Sequence, residues 1–313
     1  MTYGDLTPDL FDTAPPRPAA RPSLIARAKG AVITGASDLL LPALRRVAGD
    51  QIGGETLDDA WRVAARLSAE GLGYSLGFWD TPAYGPAEVA DIYRAAIDRA
   101  GAHGGGYVSI KPPALRFDHG LADELSKAAA KVGVRLHADS HGEAVADLTF
   151  AFTGAMVANL SPDLVSVSIP GRWRRSLADA RELLDRGIGV RIVKGEWPDP
   201  TEPARDLREG FLDLARGLCG RRGRIALATH DLPLLTAAAG ALSGAGTAFE
   251  AEFIQGLQTE AHLAFARSVN APVNIYVPYG KGFVPSALRA LRRKPALALE
   301  IAKSMISARR TGR

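Results

Sequence analysis

The stretch LVSVSIPGRWRRSLADARELLDRGIGVRIV, residues 164–193, contains one complete strand–helix–strand unit. Residues 164–169 form a short run rich in apolar and β-branched side chains, which is typical of a strand. Residues 177–184 carry apolar side chains at three- and four-residue spacing, which predicts an amphipathic helix. Gly187 is placed to end that helix, and residues 189–193 form a second strand-like run. This order predicts two parallel strands joined by a crossover helix.

The same alternation recurs along the rest of the chain. Six further strands are predicted at residues 73–79, 107–110, 134–136, 225–229, 248–253 and 273–277. Further helices are predicted at residues 87–100, 207–218 and 231–242, the last with Asp231 as its N-cap. Strands that alternate with helices predict a parallel sheet covered by helices, and eight such units favour a closed (β/α)₈ barrel. No GxGxxG turn follows the first strand, which disfavours an open dinucleotide-binding sheet.

The composition suits one large α/β domain. The chain has 313 residues, 47% of them hydrophobic and 23% charged, with a formal net charge of +4. The basic residues are spread along the chain without an aromatic-plus-basic recognition motif, so nucleic acid is not expected as a partner. The single cysteine, Cys219, excludes an internal disulfide and a cysteine-based metal cluster.

The first 50 residues differ in composition from the rest of the chain. Residues 1–22 are acidic and then proline-rich, without the order of a secretory signal, and residues 31–44 predict a helix that packs on the main body. We therefore divide the chain into an N-terminal arm, residues 1–50, and a barrel, residues 51–313. No apolar run approaches the roughly 20 residues of a membrane span. We expect a cytoplasmic protein, with peripheral contact at the inner face of the membrane as an alternative.

Charged and hydrogen-bonding residues follow nearly every predicted strand. Lys111 follows the second strand, His137 and Asp139 lie at the end of the third, and Arg191 and Lys194 lie at the end of the fifth. Because catalytic groups of α/β barrels sit at the C-terminal ends of the strands, we expect these side chains to meet at one rim. Several cations at one rim favour an anionic ligand such as a phosphate, a carboxylate or a reduced flavin.

Four segments at these strand ends carry a family resemblance. They are VSIK at residues 108–111, VRIVKG at 190–195, ATH at 228–230 and IYVPYG at 275–280. In this order they resemble the motifs of FAD-dependent proline dehydrogenases of the monofunctional bacterial type. The resemblance implies a (β/α)₈ barrel that binds FAD at its strand ends. It also implies oxidation of L-proline, or a related cyclic amine, to the imine by hydride transfer, with a quinone as a candidate electron acceptor.

The resemblance implies roles for individual residues. Arg191 would lie near the N5 edge of the flavin, where a cation stabilises the negative charge of the reduced ring. Lys111 would lie beside the substrate, and Tyr276 would pack on the substrate ring. The expected cofactor-binding residues are Ser168, Arg191, Lys194, Gly195, Glu196, Thr229 and His230.

The substrate side departs from the family pattern. The last helix of the family usually carries two consecutive arginines that clamp the proline carboxylate. Here Arg289 matches the first arginine and Ala290 replaces the second. The third strand usually ends on an aspartate, where this chain has His137, with Asp139 two residues further along. Arg191, Lys111, His137 and Asp139 are therefore the expected catalytic residues of a relative that has diverged at its substrate site.

Two other functions fit parts of the same pattern. A metal-dependent hydrolase on this fold would use His137, Asp139 and His230 as ligands, since histidine and aspartate bind zinc and iron. That hypothesis leaves the VKG and VPYG segments without a role, and the flavoenzyme prediction includes no metal. A catalytically degenerate barrel, kept for binding, would instead carry no cofactor.

Overall fold

The computed structural model describes residues 53–283. The strands are β1 (Gly73–Phe78), β2 (Gly106–Ile110), β3 (Arg135–Ala138), β4 (Val165–Pro170), β5 (Gly189–Val193), β6 (Ile225–Ala228), β7 (Glu250–Ile254) and β8 (Val273–Tyr279). The α-helices of this range are α1 (Leu57–Ala69), α2 (Pro86–His103), α3 (His119–Val132), α4 (Ala146–Met156), α5 (Ser176–Asp185), α6 (Leu207–Gly217), α7 (Leu232–Gly244) and α8 (Glu260–Ser268). None of these helices is both long and apolar enough to cross a membrane.

The eight strands close into a parallel barrel, which confirms the predicted fold class. Each strand pairs with the next one along the chain, and β8 pairs with β1 to complete the ring. The closing pair runs from Gly73 opposite Asn274 to Phe78 opposite Tyr279. The carboxyl ends of all eight strands therefore meet at the same rim.

Alternation along the strands separates an apolar outer surface from a polar interior. Outward side chains such as Leu76, Val167 and Ile275 belong to the hydrophobic core between the barrel and its helices. The alternate positions include these buried polar side chains: Ser75, Tyr107, Ser109, His137, Ser166, Ser168, Arg191, Glu252 and Asn274. Barrels of this type are usually filled by branched apolar residues, so this interior is unusually rich in hydrogen-bonding groups.

Strand boundaries were predicted to within two residues, and the difference at β3 has a tertiary cause. The third strand was predicted to end at Leu136, but β3 continues to Ala138, which pairs with Ile110 of β2. Pairing with a neighbouring strand thus extends β3 beyond the run of apolar residues that marked it in the sequence. At α7, Asp231 is the N-cap as predicted, and its side chain accepts a hydrogen bond from the backbone of Leu234.

The first described helix begins with a reciprocal capping box. The Thr56 hydroxyl accepts from the Asp59 backbone N–H at 3.2 Å, and the Asp59 carboxylate accepts from the Thr56 backbone N–H at 3.0 Å. We expect Thr56→Ala to lower the melting temperature by about 2–4 °C, since a lost N-cap exposes an unpaired donor. Thermal unfolding followed by circular dichroism measures this, with Thr56→Ser as the control that keeps the hydroxyl. Equal melting temperatures for the two variants would contradict the capping role.

Some predicted features lie outside the described residues. They are the N-terminal arm at residues 1–50, its helix at residues 31–44, and the last helix with Arg289 and Ala290. The division of the chain at residue 50 stays a prediction.

Candidate functional site

The predicted rim residues of four strands form one hydrogen-bonded cluster. Lys111 follows β2, Asp139 follows β3, Arg191 lies in β5 and Tyr276 in β8. Lys111 and Arg191 are each 8% exposed, so both cations are withdrawn from bulk water. In such surroundings charge interactions are stronger than at the protein surface.

Arg191 is held by three side chains of the barrel interior. Its Nε and Nη2 donate to the Ser168 hydroxyl at 3.0 and 2.8 Å. Nη2 also donates to Asp139 Oδ1, and Nη1 donates to Glu252 Oε2 at 3.2 Å. Burial opposes the charge on Arg191, but the carboxylates of Glu252 and Asp139 outweigh it and raise the pKa of the guanidinium. Arg191 is therefore a permanent and oriented cation.

Asp139 links the two cations of the cluster. Besides Arg191, its carboxylate lies 3.5 Å from Lys111 Nζ and accepts from the Ser109 hydroxyl at 2.9 Å. Burial favours the protonated form, but Arg191 and Lys111 outweigh it and hold the pKa of Asp139 well below its ordinary value. The carboxylate is ionised throughout the neutral range.

Lys111 connects this cluster to the aromatic side of the rim. Its Nζ donates to the Phe78 carbonyl at 2.9 Å and to the Tyr276 hydroxyl at 3.3 Å. The indole of Trp79 donates to the same hydroxyl at 2.9 Å, and Lys111 Nζ lies 4.4 Å from the centre of the Trp79 ring. Nearby Asp80 is largely buried, which raises the pKa of its carboxyl, although Lys111 opposes this. Lysine, tyrosine and tryptophan thus form one wall of the rim.

His137 lies beneath Arg191 between two serine hydroxyls. Both lone pairs of the Ser168 oxygen accept from Arg191, so its hydrogen turns to His137 Nε2, 2.9 Å away. His137 Nδ1–H then donates to Ser166 at 2.8 Å. Burial and the charge of Arg191 lower the pKa of His137 well below its ordinary value. In this geometry His137 supports Ser168, and its catalytic role stays a prediction, as does the flavin contact of Ser168.

The predicted cofactor residues of β5 and β6 lie side by side at the rim. Lys194 Nζ lies 3.2 Å from Asp231 Oδ2, which also pairs with Arg208 of α6. Thr229 is 5% exposed, and its hydroxyl accepts from the Asp231 backbone. His230 Nε2 accepts from the Ile254 backbone at 2.9 Å. Two cations therefore share one carboxylate at this side of the rim.

The turn after β5 packs closely against the end of β4. Gly195 has a φ of +91°, and an added Cβ would lie 2.7 Å from the Pro170 Cβ. Both the positive φ and this close contact exclude a side chain at position 195. The next carbonyl, that of Glu196, accepts from Arg172 at 3.0 Å. Pro170 at the end of β4 and Arg172 just after it thus hold the backbone of this predicted cofactor segment in place.

The three proposed hydrolase ligands do not converge on a metal position. His137 and Asp139 approach to 3.8 Å, but both are committed to the contacts around Arg191. His230 accepts from a backbone N–H through Nε2. Within residues 53–283, no group of three or more histidine, cysteine or acidic side chains is arranged to hold a metal ion.

Some residues of the cluster had no role in the sequence interpretation. Glu252 of β7 was given no function, yet it contacts Arg191. Ser109 and Trp79 likewise bind the predicted residues. Their only signal in the sequence was a polar or aromatic side chain near a strand end, and the strand register decides which of these face the cluster.

Two partly buried, neutral histidines should make the fold sensitive to acid. Burial lowers the pKa of both His141 and His230 to about 4. In the unfolded chain, histidine titrates at about 6.5. Between these values the unfolded state binds more protons, so stability falls as the pH is lowered, by up to about 1.4 kcal/mol per pH unit for each histidine.

Urea unfolding at pH 7.5 and pH 5 measures this dependence. We expect His141→Gln to reduce the difference in unfolding free energy between the two pH values. His119 is exposed, so His119→Gln is the matched control and should leave the difference unchanged. An unchanged difference in His141→Gln would show that this imidazole is protonated in the folded state.

Solved structures similar to this barrel include proline utilization A proteins. The protein from Bdellovibrio bacteriovorus, inactivated by N-propargylglycine, superposes with a TM-score of 0.65 at 18% identity, covering 81% of this chain and 34% of that one. A bifunctional proline utilization A protein gives 0.63 at 22% identity, covering 79% and 30%. The Corynebacterium freiburgense protein gives 0.60 at 14% identity, covering 91% and 35%.

The similarity concerns the fold and a part of those proteins. This chain spans about a third of the length of the proline utilization A chains that it matches. No protein-family model matches the sequence, and neither does any curated protein. The barrel that the sequence predicts is thus a fold that proline utilization A proteins share, which is consistent with the resemblance of the strand-end motifs to proline dehydrogenases.

Proposed function

We propose that this chain is a flavin-dependent dehydrogenase similar to proline dehydrogenases, which oxidises L-proline or a related cyclic amine to the imine. One observation carries the proposal. The motif residues Lys111, Arg191 and Tyr276, far apart in the sequence, meet with Asp139 in one cluster at the rim, with both cations buried. The barrel fold of proline utilization A proteins supports the same assignment.

The residues of the rim fit FAD in charge and in hydrogen-bonding capacity. Lys194, Arg208 and the Thr229 hydroxyl supply the donors that a pyrophosphate needs. Two buried amide oxygens at the end of β7, on Gln255 and Gln258, have no hydrogen-bond donor among the described residues. Unpaired buried acceptors cost about 1–3 kcal/mol each, and the hydroxyl groups of a ribityl chain would satisfy them.

The chain's own residues would orient the reactants. When bound, FAD supplies the acceptor for the hydride that leaves the carbon next to the amine nitrogen. Arg191 would place its charge at the edge of the flavin where negative charge collects. Lys111 and the rings of Tyr276 and Trp79 would hold the substrate at the rim. Asp139 keeps the side chains of Lys111 and Arg191 in place.

The exact substrate and acceptor are part of the proposal. Arg289 is the proposed carboxylate partner, and with Ala290 in place of a second arginine we propose a cyclic amine in which the carboxylate is less tightly held than in proline dehydrogenases. We propose a quinone as the electron acceptor and a cytoplasmic location, with peripheral contact at the inner face of the membrane as the alternative.

The absorbance spectrum of purified protein tests the proposal. We expect flavin bands after reconstitution with FAD, and bleaching of these bands on anaerobic addition of L-proline or another cyclic amine. Flavin bands that no cyclic amine bleaches would contradict the substrate class. A spectrum without flavin after reconstitution would contradict the flavoenzyme and favour a binding barrel.

A further inference from the structure

Glu252 occupies a buried position below the rim with both carboxylate oxygens engaged. It is 4% exposed, and its Oε2 lies 3.2 Å from Arg191 Nη1. Its Oε1 accepts from the hydroxyl of Tyr107, which is itself 2% exposed. Arg135 lies 4.6 Å from the centre of the Tyr107 ring and fixes that ring from below. Glu252 therefore cannot turn away from Arg191 without losing a second buried hydrogen bond.

The Tyr107 hydroxyl acts as the donor in this contact. Burial raises the pKa of Tyr107 well above its ordinary value, and the charge of Glu252 adds to the effect. The phenol stays protonated and donates to the carboxylate. Glu252 is thus an acceptor on both sides, from Tyr107 and from Arg191.

The contacts of Arg191 fall on two ends of its planar guanidinium. Ser168 accepts from Nε and Nη2 along one edge, Asp139 accepts from the other N–H of Nη2, and Glu252 accepts from Nη1. Four of the five N–H groups of an arginine are used in this way. Without Glu252 the plane would be held only through Nε and Nη2, and Nη1 would have no acceptor among the described residues.

We propose that Glu252 is a positioning residue, which fixes the guanidinium plane of Arg191 toward the rim where the proposed flavin binds. This inference rests on the proposed function for its consequence, but the positioning itself is a property of the protein alone. Asp139 does not replace Glu252, because its carboxylate is shared with Lys111 and Ser109. Glu252 accepts hydrogen bonds from Arg191 and Tyr107.

The neighbouring carboxylate of β7 offers a matched control. Glu250 lies two residues before Glu252 on the same strand, also directed into the barrel. It pairs with Arg135 at 3.5 Å and accepts from Asn274 at 3.1 Å, away from Arg191. A loss that is merely structural should appear in Glu250→Ala as well, whereas a loss of positioning should be specific to Glu252.

The first readout needs no flavin. Proton exchange at Arg191 Nε–H can be followed by two-dimensional ¹H–¹⁵N NMR of flavin-free protein, with the signal assigned by its loss in Arg191→Lys. We expect exchange to be on the order of 10- to 100-fold faster in Glu252→Ala, as for the loss of one charge-assisted hydrogen bond. Glu252→Gln keeps an acceptor oxygen and should restore slow exchange, and Glu250→Ala should match the wild type.

The second readout is the rate of flavin reduction in reconstituted protein. It should fall in Glu252→Ala and recover in Glu252→Gln. Wild-type exchange in a folded Glu252→Ala, or equal acceleration in Glu250→Ala, would overturn the positioning role. If Glu252→Ala does not fold, Tyr107→Phe removes the hydroxyl that holds Oε1 and should also accelerate exchange, while unchanged exchange in that variant would overturn the role.

The two readouts separate the inference from the proposed function. A protein that takes up no flavin but shows fast exchange specific to Glu252→Ala would support the positioning and contradict the flavoenzyme. Wild-type proton exchange together with wild-type flavin reduction in Glu252→Ala would contradict the positioning and support the flavoenzyme.

Discussion

Arg191→Ala is expected to slow reduction of the bound flavin by about 100- to 1,000-fold, the usual effect of removing one preorganised charge from a reaction site. The guanidinium is buried, permanently charged and held at both ends, so no solvent cation can take its place. Stopped-flow absorbance under anaerobic conditions measures the reduction. Arg191→Lys keeps the charge without the planar contacts and should fall between the alanine variant and the wild type.

The same substitution should also destabilise the barrel. Removing Arg191 leaves Glu252 buried without its cation and Asp139 with Lys111 as its remaining cation, and breaking a buried ion pair from one side costs about 3–5 kcal/mol. Urea unfolding measures this loss. Arg224→Ala is the matched control, because Arg224 lies directly before β6, at the end of the barrel opposite the rim, and pairs with Glu250 at 3.9 Å. It should reduce stability while flavin reduction stays near the wild-type rate, and equal slowing in both variants would remove the special role of Arg191.

Lys111→Met is expected to lower kcat/KM for the amine substrate by about 10- to 100-fold, as for the loss of one hydrogen bond to a charged group. Lys111 is 8% exposed and supports the Tyr276 hydroxyl, which the substitution would leave with Trp79 as its donor. Methionine fills much of the same volume, so packing against the Trp79 ring is largely retained. Steady-state kinetics with an artificial electron acceptor measures the effect.

The charge of Lys111 has a second consequence at the carboxyls beside it. It opposes the effect of burial on Asp80 and lowers the pKa of Asp139 together with Arg191. In Lys111→Met the pKa of Asp80 should rise further, which a pH titration of the Asp80 carboxyl by ¹³C NMR measures. Tyr276→Phe is the control that removes a hydroxyl without changing charge. An unchanged pKa of Asp80 in Lys111→Met would contradict the coupling.

The fold was predictable because its signals are local. Residues 164–193 already contain a strand, a helix and a second strand, and the same spacing recurs until eight strands are counted. The strand boundaries were less accurate, as at β3, because pairing with Ile110 rather than composition decides where that strand ends.

The candidate site was predictable only as a set of residues near one rim. Lys111, Asp139, Arg191 and Tyr276 were chosen from strand ends and motifs, and they do contact one another. His137 was placed in the same catalytic set, but its ring lies between two serines below Arg191. Composition does not distinguish a side chain at the rim from one a layer below it.

The sequence alone determined the barrel and the rim on which polar residues gather, since the periods of strands and helices and the order of motifs are properties of the chain itself. Only the tertiary structure decided which of these residues touch. Arg191 contacts partners 52 and 61 residues away in the sequence, and Lys111 meets Tyr276 across 165 residues. Such contacts depend on the register of each strand and on the closure of β8 onto β1, where a shift of one residue turns every side chain to the other face.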